Sequence, residues 1–393
     1  MFPILKRIEE PMENQNQFKD ENGYQRYYYE TKKYFNKYYA ITNSWDYNGK
    51  TNISKDTRTP FVVWLIYQIL NKKMIGYNKI YYGIPGCGKS YKVKKYLEAK
   101  KVSQENIFRT TFYLDYSNSD FVGQILPRVN GNKVNYVYNP GPFTKALTRA
   151  LNTTDMVYLV IEEINRGNAA AIFGDLFQLL DRKKETDENG IEGESEYPIT
   201  NEFIESYLKE KVDGYSKNIV YIPNNLTILA TMNTSDQNVF PLDTAFKRRW
   251  DLEKVEGKME DCDFKDYLIP FTNYTWQQFQ TAINQKISES SSNGLITTDK
   301  QLGPWFAKKD MFTKNGEQSS KENLKKFLYN VMDYIYNDVC KFEKDGWFEE
   351  NITFDKICDT ILKYPDTSEE DKNLCLTFLK DYIGNRDSND DNS

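Results

Sequence analysis

The sequence predicts an α/β fold in which a parallel β-sheet is flanked by helices and followed by a helical region. Short apolar runs typical of buried strands, such as residues 80–82 and 156–161, alternate with helical patterns. In the last third of the chain the strand patterns fade and helical periodicity dominates. We therefore expect a short, mostly helical region over 1–75, an α/β domain over 76–255, and an α-helical region with a disordered tail over 256–393.

A glycine-rich turn separates the first apolar run from a helix expected over 91–100. Residues 83–90 read Gly-Ile-Pro-Gly-Cys-Gly-Lys-Ser, which is the P-loop pattern. In such a loop backbone N–H groups close around phosphate oxygens, the lysine contacts the β- and γ-phosphates, and the serine hydroxyl binds Mg²⁺. Short patterns also arise by chance, so the prediction depends on the strand and helix around the loop. The predicted phosphate-binding residues are Gly83, Pro85, Gly86, Cys87, Gly88, Lys89 and Ser90, with Ser90 also a metal ligand.

Two consecutive glutamates follow the apolar run at 156–161. A buried central strand of this kind delivers acidic side chains to the sheet edge where ligands bind. We predict that Glu162 holds Mg²⁺ through water, at a position where aspartate is commoner, and that Glu163 orients and polarises the attacking water. Two surface glutamates after a strand are common, but their position downstream of a P-loop favours the functional interpretation.

Polar and basic residues follow the next predicted strand, at 226–232. Asn233 at its end is our candidate to reach the γ-phosphate and the attacking water. A helix predicted over 241–249 then ends in Arg248 and Arg249. These arginines either interact with the helix dipole or project towards a nucleotide bound by a neighbouring subunit. The sequence leaves the two alternatives open.

The remaining periodicity predicts further elements of both kinds. The segment at 183–218 is charged and dotted with glycines, and is interpreted as a surface insertion that contains one helix. Residues 23–40 interleave aromatic and basic side chains, which suits either base stacking or, as we favour, an aromatic helix face. The predicted strands lie at 107–114 and 134–138, and the predicted helices at 60–73, 143–151, 168–182, 199–212, 276–287, 324–342, 354–362 and 374–383.

Composition excludes several kinds of chemistry. The chain has no histidine, which removes histidine-based acid–base catalysis and histidine-ligated metal sites. Its net charge is -5, whereas an independent nucleic-acid binder is usually basic. Any DNA contact is therefore expected to be local or made by a partner. Five cysteines without a C-x-x-C pair favour free thiols in a cytoplasmic protein. The best apolar run, 61–70, is too short for a membrane span, so we expect no membrane association.

A nuclease site within this chain is also not expected. Residues 365–372 contain carboxylates and a lysine, but their spacing is too tight for a PD...(D/E)xK nuclease and no apolar strand carries the second half. Cleavage of DNA would therefore need a separate partner.

The order of these motifs resembles that of an AAA+ module, and in particular the McrB family, the nucleotide-hydrolysing motor of McrBC-type restriction systems. The resemblance implies a helical lid, a homo-oligomeric, hexameric ring, Mg²⁺-dependent hydrolysis of GTP or ATP between subunits, and a McrC-like nuclease partner that acts on DNA. Gln237 stands where GTP-using members typically have arginine, so the nucleotide base stays open. The matching stretches are 83–90, 117–122, 140–143, 162–166, 223–226, 232–236, 245–249 and 302–306.

Two other functions fit the same motifs. A MoxR-like ATPase would use a similar ring to remodel a protein client. A nucleotide-dependent assembly scaffold would bind nucleotide with negligible turnover. Substitution of Glu163 separates the scaffold from the motor, because only the motor depends on hydrolysis.

Overall fold

The structure is a computed structural model and describes residues 75–131, 133–186, 191–234, 239–291, 296–342, 344, 347–348 and 352–363. The helix predicted at 60–73, the aromatic and basic stretch at 23–40, and the helix at 374–383 with its tail lie outside these residues. The described chain forms two compact units. The described parts of 75–79, 98–230 and 240–251 make up the first unit, and those of 80–97, 231–239 and 252–363 make up the second.

The strands include a five-stranded sheet and a separate two-stranded sheet. Their bounds are β1 (Asn78–Gly83), β2 (Ile107–Thr111), β3 (Gly123–Asn130), β4 (Lys133–Pro140), β5 (Val157–Glu162), β6 (Leu226–Asn233) and β7 (Asp251–Lys254). The order in the larger sheet is β2-β5-β6-β1-β7. Because β5 pairs in parallel with both β2 and β6, the parallel sheet predicted from the sequence is confirmed.

The helices lie between and after these strands. Their bounds are α1 (Lys89–Ala99), α2 (Asn118–Val122), α3 (Pro142–Asn152), α4 (Ala169–Phe173), α5 (Glu202–Lys211), α6 (Thr244–Lys247), α7 (Trp276–Ser290), α8 (Lys321–Phe327) and α9 (Phe354–Lys363). The helices predicted near α1, α3, α5, α7 and α9 are therefore confirmed, with ends shifted by a few residues at most.

Burial explains why β5 is a continuous apolar run. All of its residues from Val157 to Ile161 are buried, as expected of a strand with neighbours on both sides and helices over the sheet. Helix α3 packs its apolar side on this unit through buried residues at helical spacing, including Phe143, Leu147 and Ala150. Strand β5 and helix α3 thus contribute to the core of the first unit.

The strand predicted at 134–138 does not belong to the parallel sheet. It lies in β4, which pairs antiparallel with β3 to form an isolated hairpin. The sequence prediction was wrong here because β3 was not recognised and alternating strands suggested a crossover connection. Apolar side chains on this hairpin are exposed, with Val129 and Tyr136 each 75% accessible.

The helix predicted over 168–182 breaks at Gly174. Helix α4 ends at Phe173, Gly174 adopts a left-handed φ of +53°, and a 3₁₀ helix follows over Gly174–Leu180. Asn118 fills the space beside this turn and donates a hydrogen bond to the Ile172 carbonyl at 2.8 Å. A continuous helix was expected because both pieces present apolar residues at helical spacing.

The segment at 183–218 is packed more tightly than a surface insertion. Its helix α5 is capped by the Asn201 side chain and buries Ile204 and Leu208. The Asn152 amide at the end of α3 donates to the Lys211 carbonyl at 2.9 Å. This segment therefore contributes to the core of the first unit.

A buried polar network anchors the start of β1. The Asn78 amide donates to the Leu180 carbonyl at 2.8 Å and to the Arg249 carbonyl at 3.1 Å, while its oxygen accepts from two nitrogens of Arg182. Burial of the guanidinium lowers the pKa of Arg182 to about 9, so this side chain stays charged at neutral pH. The network fixes the strand that leads to the glycine-rich loop.

The second unit has a separate helical core. Helix α8 continues into wider π-helical turns over Leu328–Met332 and Tyr334–Val339, so the helix predicted at 324–342 is present with altered winding. Buried aromatic residues such as Trp276, Phe279 and Phe327 join these helices. Among the residues that the structure describes, no helix is long and apolar enough to span a membrane.

Candidate functional site

The glycine-rich loop connects β1 directly to α1. Gly86 and Gly88 have φ values of +72° and +91°, a conformation that glycine adopts without the steric cost of a side chain. Helix α1 begins at Lys89 and is 11 residues long, so the loop leads into a helix N-terminus with unsatisfied N–H groups and partial positive charge. The loop therefore has the backbone conformation and the dipole that suit an anion.

Lys89 lies within this loop rather than in solvent. Its side-chain nitrogen donates to the carbonyl oxygens of Gly83 and Ile84, both at 3.0 Å, and lies 3.8 Å from the sulfur of Cys87. The residue is only 7% exposed. These partners are uncharged, so none of them neutralises the lysine, and this suits the binding of a phosphate group.

Cys87 and Pro85 contribute to the shape of the loop. Burial raises the pKa of the Cys87 thiol, so this group is neutral and acts as a small packing residue. The Pro85 carbonyl accepts a hydrogen bond from the Gly303 N–H at 2.8 Å. Ser90, by contrast, is exposed at the start of α1.

Glu162 ends β5 and forms an ion pair with Arg109 of β2. The register explains the contact: Thr111 is opposite Glu162, and Arg109 lies two residues before Thr111, on the same face of the sheet. The Glu162 side chain is 13% exposed, and the Arg109 guanidinium is its counter-ion. Sequence reasoning missed this arginine because the pairing register of the two strands is not visible in the sequence.

Glu163 has an unusual backbone. Its φ of 55° and ψ of 49° place it in the left-handed region, which is sterically unfavourable for a residue with a side chain. The conformation ends the strand and starts a 3₁₀ turn at Ile164–Arg166, where the Arg166 guanidinium lies 3.5 Å from the Glu163 carboxylate. Strained backbone of this type is concentrated at functional sites.

Asn233 is the last residue of β6 and is partly buried. It therefore ends its strand as the sequence predicted. Gln237, which bears on the choice of nucleotide base, lies outside the described residues.

The two candidate arginines lie in different environments. The helix predicted over 241–249 is a single turn, α6, and Arg248 follows it with an exposed side chain. Two nitrogens of Arg249 instead donate to one oxygen of Asp181, at 2.7 and 2.9 Å, and its guanidinium lies 3.9 Å from the centre of the Phe177 ring. These contacts favour a packing role for Arg249 and leave Arg248 accessible to another molecule.

This difference gives a testable prediction. We expect Arg249→Ala to lower the free energy of unfolding by about 2 kcal/mol, because Asp181 loses a partly buried, charged hydrogen-bond partner. Arg248→Ala should change it by less than about 0.5 kcal/mol, because surface substitutions have small effects. Urea unfolding followed by circular dichroism measures both. Equal stability of the two variants would contradict the assignment.

Comparison with known proteins places these features in a family. The AAA domain (dynein-related subfamily) matches residues 79–250. The EcoKMcrB subunit of a type IV methyl-directed restriction enzyme from Escherichia coli (strain K12) is 26% identical over 235 residues, a match that covers 58% of this chain and 47% of that protein. Component YdiS of the type II restriction enzyme BsuMI from Bacillus subtilis (strain 168) is 33% identical over 313 residues, which cover 71% of this chain and 84% of that protein. The chain is a McrB-like AAA+ NTPase.

The donor set of this McrB-like AAA+ NTPase fits Mg²⁺ only as a metal shared with phosphate. Within the described ranges, no group of three or more cysteine, aspartate or glutamate side chains could hold a metal ion. Mg²⁺ usually keeps several waters and takes one or two protein oxygens together with substrate phosphates. A serine hydroxyl, such as that of Ser90, and a carboxylate, such as that of Glu162, are each oxygen donors of a kind that Mg²⁺ accepts.

One part of the AAA+ NTPase site was not predicted from the sequence. Residues 303–306 pack against the glycine-rich loop, with backbone hydrogen bonds from Gly303 to Pro85 and from Trp305 to Gly86. The similarity to the McrB family at 302–306 was a weak signal for this contact. This similarity identified the segment but did not show that it packs against the glycine-rich loop.

Proposed function

We propose that this McrB-like AAA+ NTPase hydrolyses GTP or ATP in a Mg²⁺-dependent reaction and powers DNA restriction together with a separate McrC-like nuclease. The observation that best supports nucleotide binding is the conformation of the glycine-rich loop. It combines left-handed glycines, a buried lysine with uncharged partners and a helix N-terminus. This combination suits a triphosphate.

We assign a separate role to each residue. Lys89 neutralises charge on the β- and γ-phosphates, and the loop residues from Gly83 to Ser90, except Pro85, which lacks an N–H, donate backbone hydrogen bonds. Glu163 accepts the proton of the attacking water, and Asn233 orients that water. Bound Mg²⁺, held by Ser90 and through water by Glu162, would neutralise the charge of the phosphates.

Turnover in this proposal depends on oligomerisation. We propose a ring, most simply a hexamer, in which Arg248 of one subunit reaches the nucleotide of the next. Its exposure supports this role, and the contacts of Arg249 support assigning the trans role to Arg248 first. An arginine of this kind increases the rate of hydrolysis by about 10³ to 10⁵.

The proposed role in DNA restriction is based on the similarity to the two relatives described above. The names of both relatives describe parts of restriction enzymes, and the match covers most of YdiS but about half of the McrB subunit. DNA contact in our proposal is made by the ring or by the nuclease partner, since this chain has a net charge of -5.

The test is a hydrolysis assay with each of the four nucleoside triphosphates and Mg²⁺. Each nucleotide is tested alone, with duplex DNA, with the McrC-like nuclease of the same source, and with both. Stimulation by the nuclease or by DNA is the expected result. Stimulation by a protein client alone would support MoxR-like remodelling instead, and nucleotide binding without hydrolysis under every condition would support a scaffold.

A further inference from the structure

Residues 303–306, here called the strap, are paired to the glycine-rich loop through backbone hydrogen bonds. The Gly303 N–H donates to the Pro85 carbonyl at 2.8 Å, and the Trp305 N–H donates to the Gly86 carbonyl at 2.9 Å. The C=O and N–H of a trans peptide point in opposite directions. The Pro85 carbonyl and the Gly86 N–H belong to the same peptide. The hydrogen bond from Gly303 to Pro85 therefore turns the Gly86 N–H away from the strap, towards the other side of the loop.

Glycines on both sides make this close approach possible. A Cβ atom on Gly86 would lie 2.3 Å from the backbone of Phe306, and one on Gly303 would lie 2.3 Å from the carbonyl carbon of Gly86. Real Cβ atoms do not come so close to backbone atoms. The backbones of the loop and the strap are thus in direct contact, and neither can shift independently.

The Trp305 side chain covers the point where the loop enters α1. A Cβ on Gly88 would lie 3.1 Å from the Trp305 ring, and the ring centres of Trp305 and Tyr91 are 6.3 Å apart. The indole thus packs against the glycine that precedes Lys89. Removing it would remove this contact with Gly88.

The other side of the strap is tied to helix α7. The Trp276 indole N–H donates to the Pro304 carbonyl at 2.8 Å, and the Leu302 carbonyl accepts from Gln280 at 2.7 Å and from Asn284 at 2.9 Å. Trp276 is fully buried. The strap is therefore a rigid support that is held by the helical core of the second unit.

We propose that the strap is a positioning element that holds the loop in its phosphate-binding conformation, and that Trp305 is the strap side chain on which nucleotide affinity most depends. The inference rests on the proposed function, because it requires that the loop binds a triphosphate. A loop held in advance loses less conformational freedom when the ligand binds, which improves affinity. Trp305 acts through the loop and needs no contact with the reacting atoms.

The test compares the binding of Mg²⁺ with ATP and with GTP by isothermal titration calorimetry, using the full chain. We expect Trp305→Ala to raise the Kd of the preferred nucleotide by about tenfold, while kcat at saturation changes by less than about threefold. Trp305→Phe should restore the Kd to within about threefold of the wild type, because a ring still packs on Gly88. Tyr329→Ala is a matched control, because Tyr329 is an exposed aromatic residue of the same unit.

A second measurement covers the possibility that Trp305→Ala does not fold. Nucleotide should change the tryptophan fluorescence of the wild type, and most of this change should disappear in Trp305→Phe. A folded Trp305→Ala with a Kd within about twofold of the wild type would overturn the proposal. So would a wild-type fluorescence change that persists in Trp305→Phe. Failure of the wild type to bind any nucleotide would overturn the proposed function itself, and the inference with it.

Discussion

Lys89→Ala should weaken the binding of Mg²⁺ with ATP or GTP by at least about 100-fold, or about 2.7 kcal/mol. The lysine is buried in the loop with uncharged oxygen partners, so its removal takes away the positive charge closest to the loop backbone. The substitution also removes two hydrogen bonds to the Gly83 and Ile84 carbonyls. Isothermal titration calorimetry measures the affinity, and hydrolysis should fall below detection at nucleotide concentrations that saturate the wild type.

The control for this variant is Lys94→Ala. Lys94 is an exposed lysine on the same helix, α1, and its replacement removes an equal charge. We expect its affinity for nucleotide to stay within about twofold of the wild type, because exposed charges are strongly screened. Thermal unfolding of both variants separates a loss of binding from a loss of folding. If Lys89→Ala is folded and still binds nucleotide normally, the loop does not bind phosphate.

Glu163→Gln should reduce hydrolysis by about 10² to 10⁴ while nucleotide binding is retained. Glutamine has nearly the shape of glutamate but does not accept a proton at neutral pH. The substitution keeps a side chain of the same length on the left-handed backbone, so the turn at residues 164–166 should be unchanged. Steady-state hydrolysis and calorimetric binding, measured on the same preparation, test the two halves of this prediction.

Glu105→Gln provides the comparison for Glu163→Gln. Glu105 is an exposed glutamate of the same unit that pairs with Arg149 at 2.8 Å. Its substitution should leave hydrolysis within about twofold of the wild type, because an exposed ion pair contributes little. Full hydrolysis by Glu163→Gln would exclude this residue as the base and would direct attention to another carboxylate.

The parts of the site that follow from local pattern could be predicted from the sequence. The loop at 83–90 and the apolar strand that ends in Glu162 and Glu163 are each encoded by consecutive residues, and the structure contains both. The parallel sheet was also predictable, because the alternation of apolar runs and helical patterns favours it. The contacts that these segments make with residues distant in the sequence were not predicted.

Contacts between distant residues explain most of what the sequence did not reveal. Arg109 meets Glu162 through strand register, Arg249 meets Asp181 across 68 positions, and the strap reaches the loop from more than 200 residues away. Backbone conformation explains the rest. Nothing in the local pattern distinguishes the left-handed turn at Gly174 from a helical residue. The local pattern also did not show that β3 would pair with β4 in a separate hairpin.

The backbone at Glu163 has a consequence for how this protein can evolve. Glycine or asparagine would suit a φ of 55° better, and glycine would relieve about 1 kcal/mol of steric strain. Each would also remove the carboxylate. At this position selection for thermal stability therefore favours glycine, whereas selection for catalytic turnover favours glutamate. A lineage that no longer needed hydrolysis would be expected to acquire glycine there.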